Sequence, residues 1–574
     1  MSNIQSNTSS SQSNPSTSST SSEKEPSPML RRSYKDAVNA LNTLQTNFAT
    51  IQAARKAGTK RDPLLIPEMV EWARRIGYKP ADFDRLHVVH VTGTKGKGST
   101  CAFVNSILTQ YRIPASFVRS VGVSPIIASS AQSEFQKAYS RAQAEIKVTS
   151  ELKKAANNRR KEEATSVLPS GPHITKIGLY TSPHLMSVRE RIMINGKPIS
   201  EELFAKYFFE VWDRLESTST DTVKFPHMGP HIKPAYFRYL TLLAFHAFLS
   251  EGVDTAIFEV GIGGEYDSTN IILHPTACGI AALGLDHTDI LGNTLESIAW
   301  NKSGIFKPGA ACFSVRQPDE AATKMIEHRA KEKGAASFDW VDVRPDLKDI
   351  KLGINGDFQN SNASLAVALC FAHLKKLGFA LDSDTLPEEF VKGLEEARWP
   401  GRCQILQDKE RKDLTWFIDG AHTKESIQGA THWFTTATHP ERKRVLLFNQ
   451  QKRSPDQLLK TLHSEIAKAG VHFDHVIFST NVTWASGEYS NDQISLNTSS
   501  KQVKNLEVQT QSAEIWNKFD KKSRKHIFPD VETTVNFIRS LEGPLDVFVT
   551  GSLHLLGGFL IVLESKEGKM MNGM

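Results

Sequence analysis

The stretch Val88-Val89-His90-Val91-Thr92-Gly93-Thr94-Lys95-Gly96-Lys97-Gly98-Ser99-Thr100 constrains this 574-residue chain more than any other. Its β-branched opening reads as a short buried strand. Gly93, Gly96 and Gly98 let the backbone turn tightly and present N–H groups to an anion. After them Val104, Leu108 and Tyr111, with Phe103 and Ile107, recur at helical spacing. A strand, a glycine loop and a helix N-terminus in this order make a phosphate site. Lys97 supplies a mobile positive charge, and Ser99 or Thr100 a hydroxyl for a metal ion. The spacing Gly93-x-x-Gly96-Lys97-Gly98-Ser99 departs from the usual G-x-x-x-x-G-K-[ST]. A glycine–lysine loop by itself is more often a surface turn. The strand before and the helix after set this one apart, with Gly93, Thr94, Lys95, Gly96, Lys97, Gly98 and Ser99 as the nucleotide contacts.

A chain of this length exceeds one core and predicts two domains, three being the alternative. Hydrophobic content of 39% and charged content of 23% are ordinary for a soluble globular protein. A net charge of +6 favours small anions and is no nucleic-acid signature by itself. Cys101, Cys278, Cys312, Cys370 and Cys403 form no C-x-x-C pair, which argues against a zinc ribbon or a disulfide scaffold and fits a reducing compartment. No stretch reaches the length of a membrane span. Residues 1–30 are rich in Ser, Thr, Asn and Gln and read as a disordered tail; Glu23 and Glu25 and the lack of Arg before Pro28 make a poor transit peptide. The expectation is a cytoplasmic protein.

Helical spacing starts at Ser33, with Tyr34, Ala37, Leu41, Leu44 and Phe48 on one face, and a second helix runs from Pro67 to Ile76. Residues 120–172 read as a polar, partly helical insertion; its basic run Asn157-Asn158-Arg159-Arg160-Lys161 lacks aromatics for base stacking and reads as a solvated face. Ile177 to Thr181 is a buried strand that Pro183 stops, Val188 to Gly196 a charged strand ending in an Asn-Gly turn, and Pro234 to Ser250 a buried aromatic helix. Thr255 to Val260 and Ala277 to Leu283 are further strands. Strands alternating with helices predict a mostly parallel α/β sheet whose ligands bind beyond the strands' carboxyl ends. Those ends carry Gly93–Ser99, Ser182, Glu259 and Asp286-His287. Trp399-Pro400-Gly401-Arg402 marks the boundary between domains at 31–398 and 399–574. Thr415–Asp419, Val445–Asn449, Val476–Ser479 and Leu545–Thr550 then give a smaller, Rossmann-like α/β C-terminal domain, with a polar loop or insertion over 486–523.

With these residues in line, the chain resembles the folylpolyglutamate synthases of the Mur-ligase superfamily. The resemblance runs from about Tyr34 to the C-terminus. It rests on Val91–Thr100, Tyr180-Thr181-Ser182-Pro183-His184-Leu185, Arg189-Glu190-Arg191-Ile192, Glu259-Val260-Gly261-Ile262-Gly263-Gly264, Asp286-His287 with Leu291-Gly292, Lys302-Ser303-Gly304-Ile305, Trp399–Arg402 and Asp419-Gly420-Ala421-His422. Each motif is weak alone; their ordered combination is highly specific. The resemblance implies an α/β P-loop ATPase domain and ATP-dependent addition of L-glutamate to the γ-carboxyl of a reduced folate and its polyglutamates, through an acyl phosphate. It implies Mg²⁺, admits a monovalent cation, and suggests a monomer, no nucleic-acid partner and a mitochondrial pool beside the cytoplasmic one. Dihydrofolate synthase shares nearly every motif and is the alternative activity. A non-enzymatic P-loop or RNA-binding protein is the distant alternative, leaving Glu259, His287, Arg402 and Asp419 without a shared purpose.

Residue by residue, Ser182, Glu259 and His287 match the family's metal positions. The residues alone allow a capping hydroxyl, a Glu paired with Arg or Lys, and a loop histidine; imidazole is not a preferred Mg²⁺ ligand, so its contact would run through water. Lys302 matches a lysine that relatives carry as a carbamate, whereas the residue alone allows an unmodified lysine on phosphate. Asn362 matches a nucleotide contact and could instead cap its helix. Arg402 would grip ATP phosphate and Asp419 the ribose or base; a structural ion pair is the alternative. His422 would touch the γ-phosphate or an incoming anion, and is grouped with Lys302 as catalytic. Asp357-Phe358 departs from a histidine-containing pair of the family, Glu265 has no assigned role, and the pterin pocket is not mapped.

Overall fold

The strand expected before the glycine loop is β1 (Val89–Thr92), buried at every residue. In the computed structural model, which describes residues 32–45, 64–113, 172–226, 228–229, 231–382, 385–451, 455–487, 492 and 505–568, it lies inside an eight-stranded sheet. The other strands are β2 (Ile177–Tyr180), β3 (Ile192–Ile194), β4 (Lys197–Pro198), β5 (Thr255–Glu259), β6 (Ala277–Ile280), β7 (Ala311–Val315) and β8 (Ser337–Val341), in the order β4-β3-β2-β5-β1-β6-β7-β8. Only the pairs β2–β3 and β3–β4, at one edge, are antiparallel. A strand buried on both faces needs apolar residues of both parities. Thus Phe258 packs on one face with α1 (Tyr34–Thr43), α2 (Leu65–Arg75), α4 (Glu201–Ser217) and α5 (Tyr236–Glu251). Ile257 packs on the other with α3 (Lys97–Gln110), α9 (Gln359–Lys376) and α10 (Glu388–Glu396). Between these in the chain come α6 (Thr288–Leu291), α7 (Leu295–Lys302) and α8 (Glu320–Glu332), the last two closing over β6 and β7. Phe245 of α5 stacks on Phe258 at 4.6 Å between centroids, and burying one such ring stabilises by roughly 2–3 kcal/mol.

A second, six-stranded sheet follows: β9 (Gln404–Gln407), β10 (Leu414–Ile418), β11 (Lys443–Phe448), β12 (His475–Ser479), β13 (Arg524–Phe528) and β14 (Leu545–Thr550), ordered β13-β12-β11-β14-β10-β9. It is parallel except for the edge pair β9–β10. Helices α11 (Lys424–Ala437), α12 (Pro455–Lys468) and α13 (Glu507–Phe519) cover one face, and α14 (Val531–Ser540) and α15 (Leu553–Gly568) the other. Among the described residues no helix is long and apolar enough to cross a membrane.

Three local expectations are corrected. Val188–Arg191 is a 3-10 turn, and only Ile192–Ile194 is strand. The reason is Glu190, whose carboxylate accepts N–H bonds from Leu185, Met186 and Ser187 and curls the chain back on itself. Asn195 and Gly196, both at positive φ, do form the expected turn. The first helix ends at Thr43, Leu44 being its C-cap; Phe48 lies outside the described residues. The polar stretch 486–523 contains α13, because Ile515 and Trp516 give it a buried face that the surrounding polarity hides. The tail 1–30 and most of the insertion at 120–172 lie outside the described residues.

Candidate active site

The phosphate loop is held from three sides. Gly96 has φ +84°, and a Cβ there would lie 2.1 Å from Asn362 Oδ1, so the loop backbone presses directly on α9. Asn362 is the fourth residue of α9 and does not cap it; its Nδ2 donates to Gln359 Oε1 at 2.8 Å. A Cβ on Gly98 would lie 3.0 Å from Trp399 Nε1, which puts the linker between the two sheets against the loop. On the third side Thr94 and Lys95 donate their N–H groups to Ala282 O at 2.9 and 3.0 Å. Lys95 Nζ stands 3.4 Å from Asp286.

Two lysines converge on one carbonyl: Lys97 Nζ and Lys302 Nζ donate to Gly93 O at 3.1 and 2.7 Å. Lys302 is the last residue of α7 and is buried. Burial, aided by the charge of Lys97, holds its amine well below the ordinary lysine pKa. The hydroxyl of Thr100, at the base of the loop, is buried with no hydrogen-bond partner.

The acid of the site stands at the end of β5, between β1 with its phosphate loop and β2. Glu259 ends β5 and is buried, and its Oε2 accepts the Ser182 N–H at 2.8 Å. Burial raises its pKa, against the opposing charges of Lys97, Arg402 and Arg191 and the Ser182 amide. Those cations come from both sides of the cleft, since Arg402 belongs to the linker that leads into the second sheet. Asp419, after β10, is also buried: Oδ2 accepts Cys403 N–H at 2.8 Å and Oδ1 accepts Ala421 N–H at 2.9 Å. Burial raises its pKa while Arg402 opposes. Arg402 donates through Nη1 to Gly401 O at 3.0 Å. Among the described residues it makes no ion pair with Asp419, so the structural pair weighed from the sequence is not what the fold contains. His422 Nδ1 stands 2.8 Å from Gly420 O, just before α11.

His287 is exposed on the loop after β6, at φ +51°, with its N–H on Asp286 Oδ1 at 2.9 Å. Among the described residues no three His, Cys, Asp or Glu side chains are placed to hold a metal ion. One carboxylate with hydroxyls at Ser182 and Thr100 suits a hard cation completed by water and phosphate oxygens; it does not suit zinc, which wants nitrogen and sulfur ligands.

Comparison with known proteins decides the family. A folylpolyglutamate synthase of Candida albicans is 45% identical over 566 residues, covering 94% of this chain and 97% of that one. The chain belongs to the folylpolyglutamate synthase family. A family model described as "Dihydrofolate synthetase, C-terminal domain" matches residues 402–562. A structure of Mycobacterium tuberculosis folylpolyglutamate synthase complexed with ADP shares the fold, with TM-score 0.59 at 19% identity, covering 92% of this chain and 99% of that one. So does a bifunctional folylpolyglutamate synthase/dihydrofolate synthase of Yersinia pestis complexed with AMPPNP and Mn ion, with TM-score 0.56 at 20% identity over 91% and 98%.

Within this family member the sequence left several site residues without a role. Arg191 and His184 sit inside motifs that carry the resemblance, yet only folding shows that Arg191 Nε donates to His184 Nδ1 at 2.9 Å. Burial, with Arg191 adjacent, lowers the pKa of His184 to about 3. Trp399 marked a boundary and turns out to touch the phosphate loop. Glu265 has a structural role, accepting from Arg329 and, at 3.0 Å, from Lys333. Phe358, at the departure from the family pair, packs beside Gly356 and Gly429, and Asp357 stands 3.7 Å from His432 of α11. A cavity of about 900 Å³ opens beside Thr181, Pro183 and Arg402 and runs along α3 to Gln110, with Leu179 and Met193 in its wall.

Proposed function

We propose that the cleft of this ATP-dependent folate–glutamate ligase works by phosphorylating the γ-carboxyl of a reduced folate and then exchanging the phosphate for the amine of L-glutamate. The observation that carries this reading is Glu259, a buried carboxylate faced by Lys97 from the phosphate loop and by Arg402 from the linker to the second sheet. A carboxylate is a poor acylating agent; as an acyl phosphate it has a leaving group. The carboxylate oxygen attacks the γ-phosphorus and ADP departs. The glutamate amine then attacks the carbonyl, phosphate leaves, and the ammonium proton passes to solvent. The protein's part is to align the reactants and offset charge as two anions meet.

In this reading the loop N–H groups from Gly96 to Ser99 and the Lys97 ammonium hold the phosphates, those of Thr94 and Lys95 being taken by Ala282 O. Asn362 and Asp419 hold the nucleoside, and Arg402 adds a phosphate contact when the two sheets approach. Ser182 and Glu259, with His287 through water, would hold Mg²⁺, which neutralises phosphate charge. His422 is placed for the γ-phosphate or the incoming anion. The 900 Å³ cavity, with its apolar wall, has room for the flat pteroyl group.

Lys302 is proposed to carry a carbamate. A neutral amine is what CO₂ captures, the amine proton going to solvent, and burial supplies that neutral amine. Intact-protein mass spectrometry in bicarbonate is expected to show a labile increment of one CO₂, absent in Lys302→Arg. An unchanged mass together with no carbamate signal from isotope-labelled bicarbonate removes the modification.

Purified protein given ATP, glutamate and tetrahydrofolate is expected to release ADP and form a folate extended by glutamate. Dihydropteroate is the second arm, because the matched C-terminal domain is described for dihydrofolate synthetase. Turnover of dihydropteroate alone reverses the choice of substrate.

A further inference from the structure

Arg191 is a buried cation, about 9% exposed, with no carboxylate within ion-pair distance among the described residues. Burying an unmatched guanidinium is costly, so its charge is either structural or kept for a ligand. The sheet order separates the two cases. The ends of β3, β2, β5 and β1 stand in a row, carrying Arg191, Ser182, Glu259 and the phosphate loop. Arg191 is locked at its end of the row because its carbonyl accepts the Thr181 N–H at 3.1 Å, one residue before Ser182. It therefore approaches Glu259 from the side opposite the loop, where Lys97 already serves the nucleotide. An anion arriving there is not the triphosphate.

Resting on the ligase reading above, we propose that Arg191 binds a substrate carboxylate at the site, and that His184 and Asp492 are its positioning residues. Arg191 Nε–H donates to His184 Nδ1 at 2.9 Å, so His184 carries its proton on Nε2 and donates it to the Asp492 carbonyl at 2.9 Å. Both ring nitrogens are used, which fixes the imidazole and, through it, the plane of the guanidinium. That plane lies over Tyr236, with Cζ 5.6 Å from the ring centroid. Asp492 comes from beyond β12, in the second half of the chain. Its carboxylate accepts from Val188 N–H at 2.8 Å, from the Ser187 hydroxyl at 3.3 Å and from the Tyr34 hydroxyl. The second half of the chain thereby holds the turn that presents Arg191. The Nη edge of the guanidinium, which makes no hydrogen bond among the described residues, suits a planar, bidentate partner such as a carboxylate.

Two carboxylate sources meet here, the glutamyl tail of the folate and free glutamate, and separate Michaelis constants distinguish them. Arg191→Gln is expected to raise KM for one of them roughly 30-fold, as loss of a charge-assisted contact does, with KM for ATP within about twofold and an unchanged melting midpoint. Arg191→Lys recovers part of this. His184→Phe, which removes the acceptor, moves the same KM in the same direction and less. A rise for folate alone assigns the acceptor's tail, and a rise for glutamate alone assigns the incoming amino acid. Unchanged values for both, or equal losses for ATP and both carboxylates, overturn the proposal. Equilibrium dialysis of tetrahydrofolate and of glutamate with a non-hydrolysable ATP analogue gives the same comparison without turnover. Wild-type protein that binds them yet never ligates defeats the ligase reading while still testing Arg191; wild-type protein that binds neither defeats both.

Discussion

Glu259→Gln is expected to abolish ligation without unfolding the protein. Glutamine keeps an oxygen for the Ser182 N–H, so the 2.8 Å contact survives. What disappears is the negative charge that Lys97, Arg402 and Arg191 face and that the proposed mechanism gives to a divalent ion. Loss of that charge is expected to lower kcat/KM at least about 1,000-fold, on the order of 4 kcal/mol of transition-state stabilisation. Stability should move the other way. Burial raises the folded-state pKa of Glu259 above its unfolded value, so across the window between them the folded chain binds more protons. Stability from this group is full below the unfolded pKa, falls as pH rises through the window and levels off above the folded pKa. The glutamine variant lacks that slope. Its ligand-free melting midpoint should match or exceed wild type, by a margin that widens from acid towards neutral pH. ADP release within tenfold of wild type, or a collapsed circular-dichroism spectrum, would sink the assignment.

Lys97→Ala is expected to be as severe, for a compound reason. Its ammonium is the loop's mobile charge, resting 3.1 Å from Gly93 O. Removing one such contact from a developing phosphoryl charge costs roughly 100- to 1,000-fold in turnover. The same ammonium is the leading charge that depresses Lys302 and the leading charge that supports ionised Glu259. Without it Lys302 drifts towards its protonated form and Glu259 towards its neutral one, each the wrong state for the proposed chemistry. The total loss in kcat/KM should therefore exceed the effect of the phosphate contact alone. Arginine should rescue poorly, because a rigid planar fork does not replace a compact charge beside a glycine loop. Coupled ADP assays and ATP binding by calorimetry check this; normal ATP affinity with retained turnover would refute it.

Much of this arrangement is legible along the chain because the relevant signals are local. The run Val88–Thr92 followed by Gly93, Gly96 and Gly98 reads as a strand leading into a tight turn and then a helix, which the structure opens at Lys97 where the sequence pattern begins it at Thr100. Fully buried parallel strands such as β5 and β14 read as apolar runs for the same reason. Where a local signal competed with a tertiary one, it failed. Glu190 turns three backbone amides towards itself and converts a strand-like pattern into a 3-10 turn. Trp516 buries one face of α13 within an otherwise polar stretch. The edge strands β8, β9 and β13 escaped notice because none of their residues is fully buried and polar side chains interrupt the apolar ones.

The sequence by itself therefore determined the strand, glycine loop and helix around Lys97, the two α/β units, and the ordered motifs that carry the family resemblance. Covalent neighbours and short periodicities carry the first two, and the order of the motifs along the chain carries the resemblance. Only the tertiary structure decided that Ser182 meets Glu259, that Lys302 shares a carbonyl with Lys97, that Trp399 leans on Gly98, and that Arg191 is aimed through His184 by Asp492. Such pairings depend on strand order and on which charges lose their water. Neither is a property of any one stretch of chain.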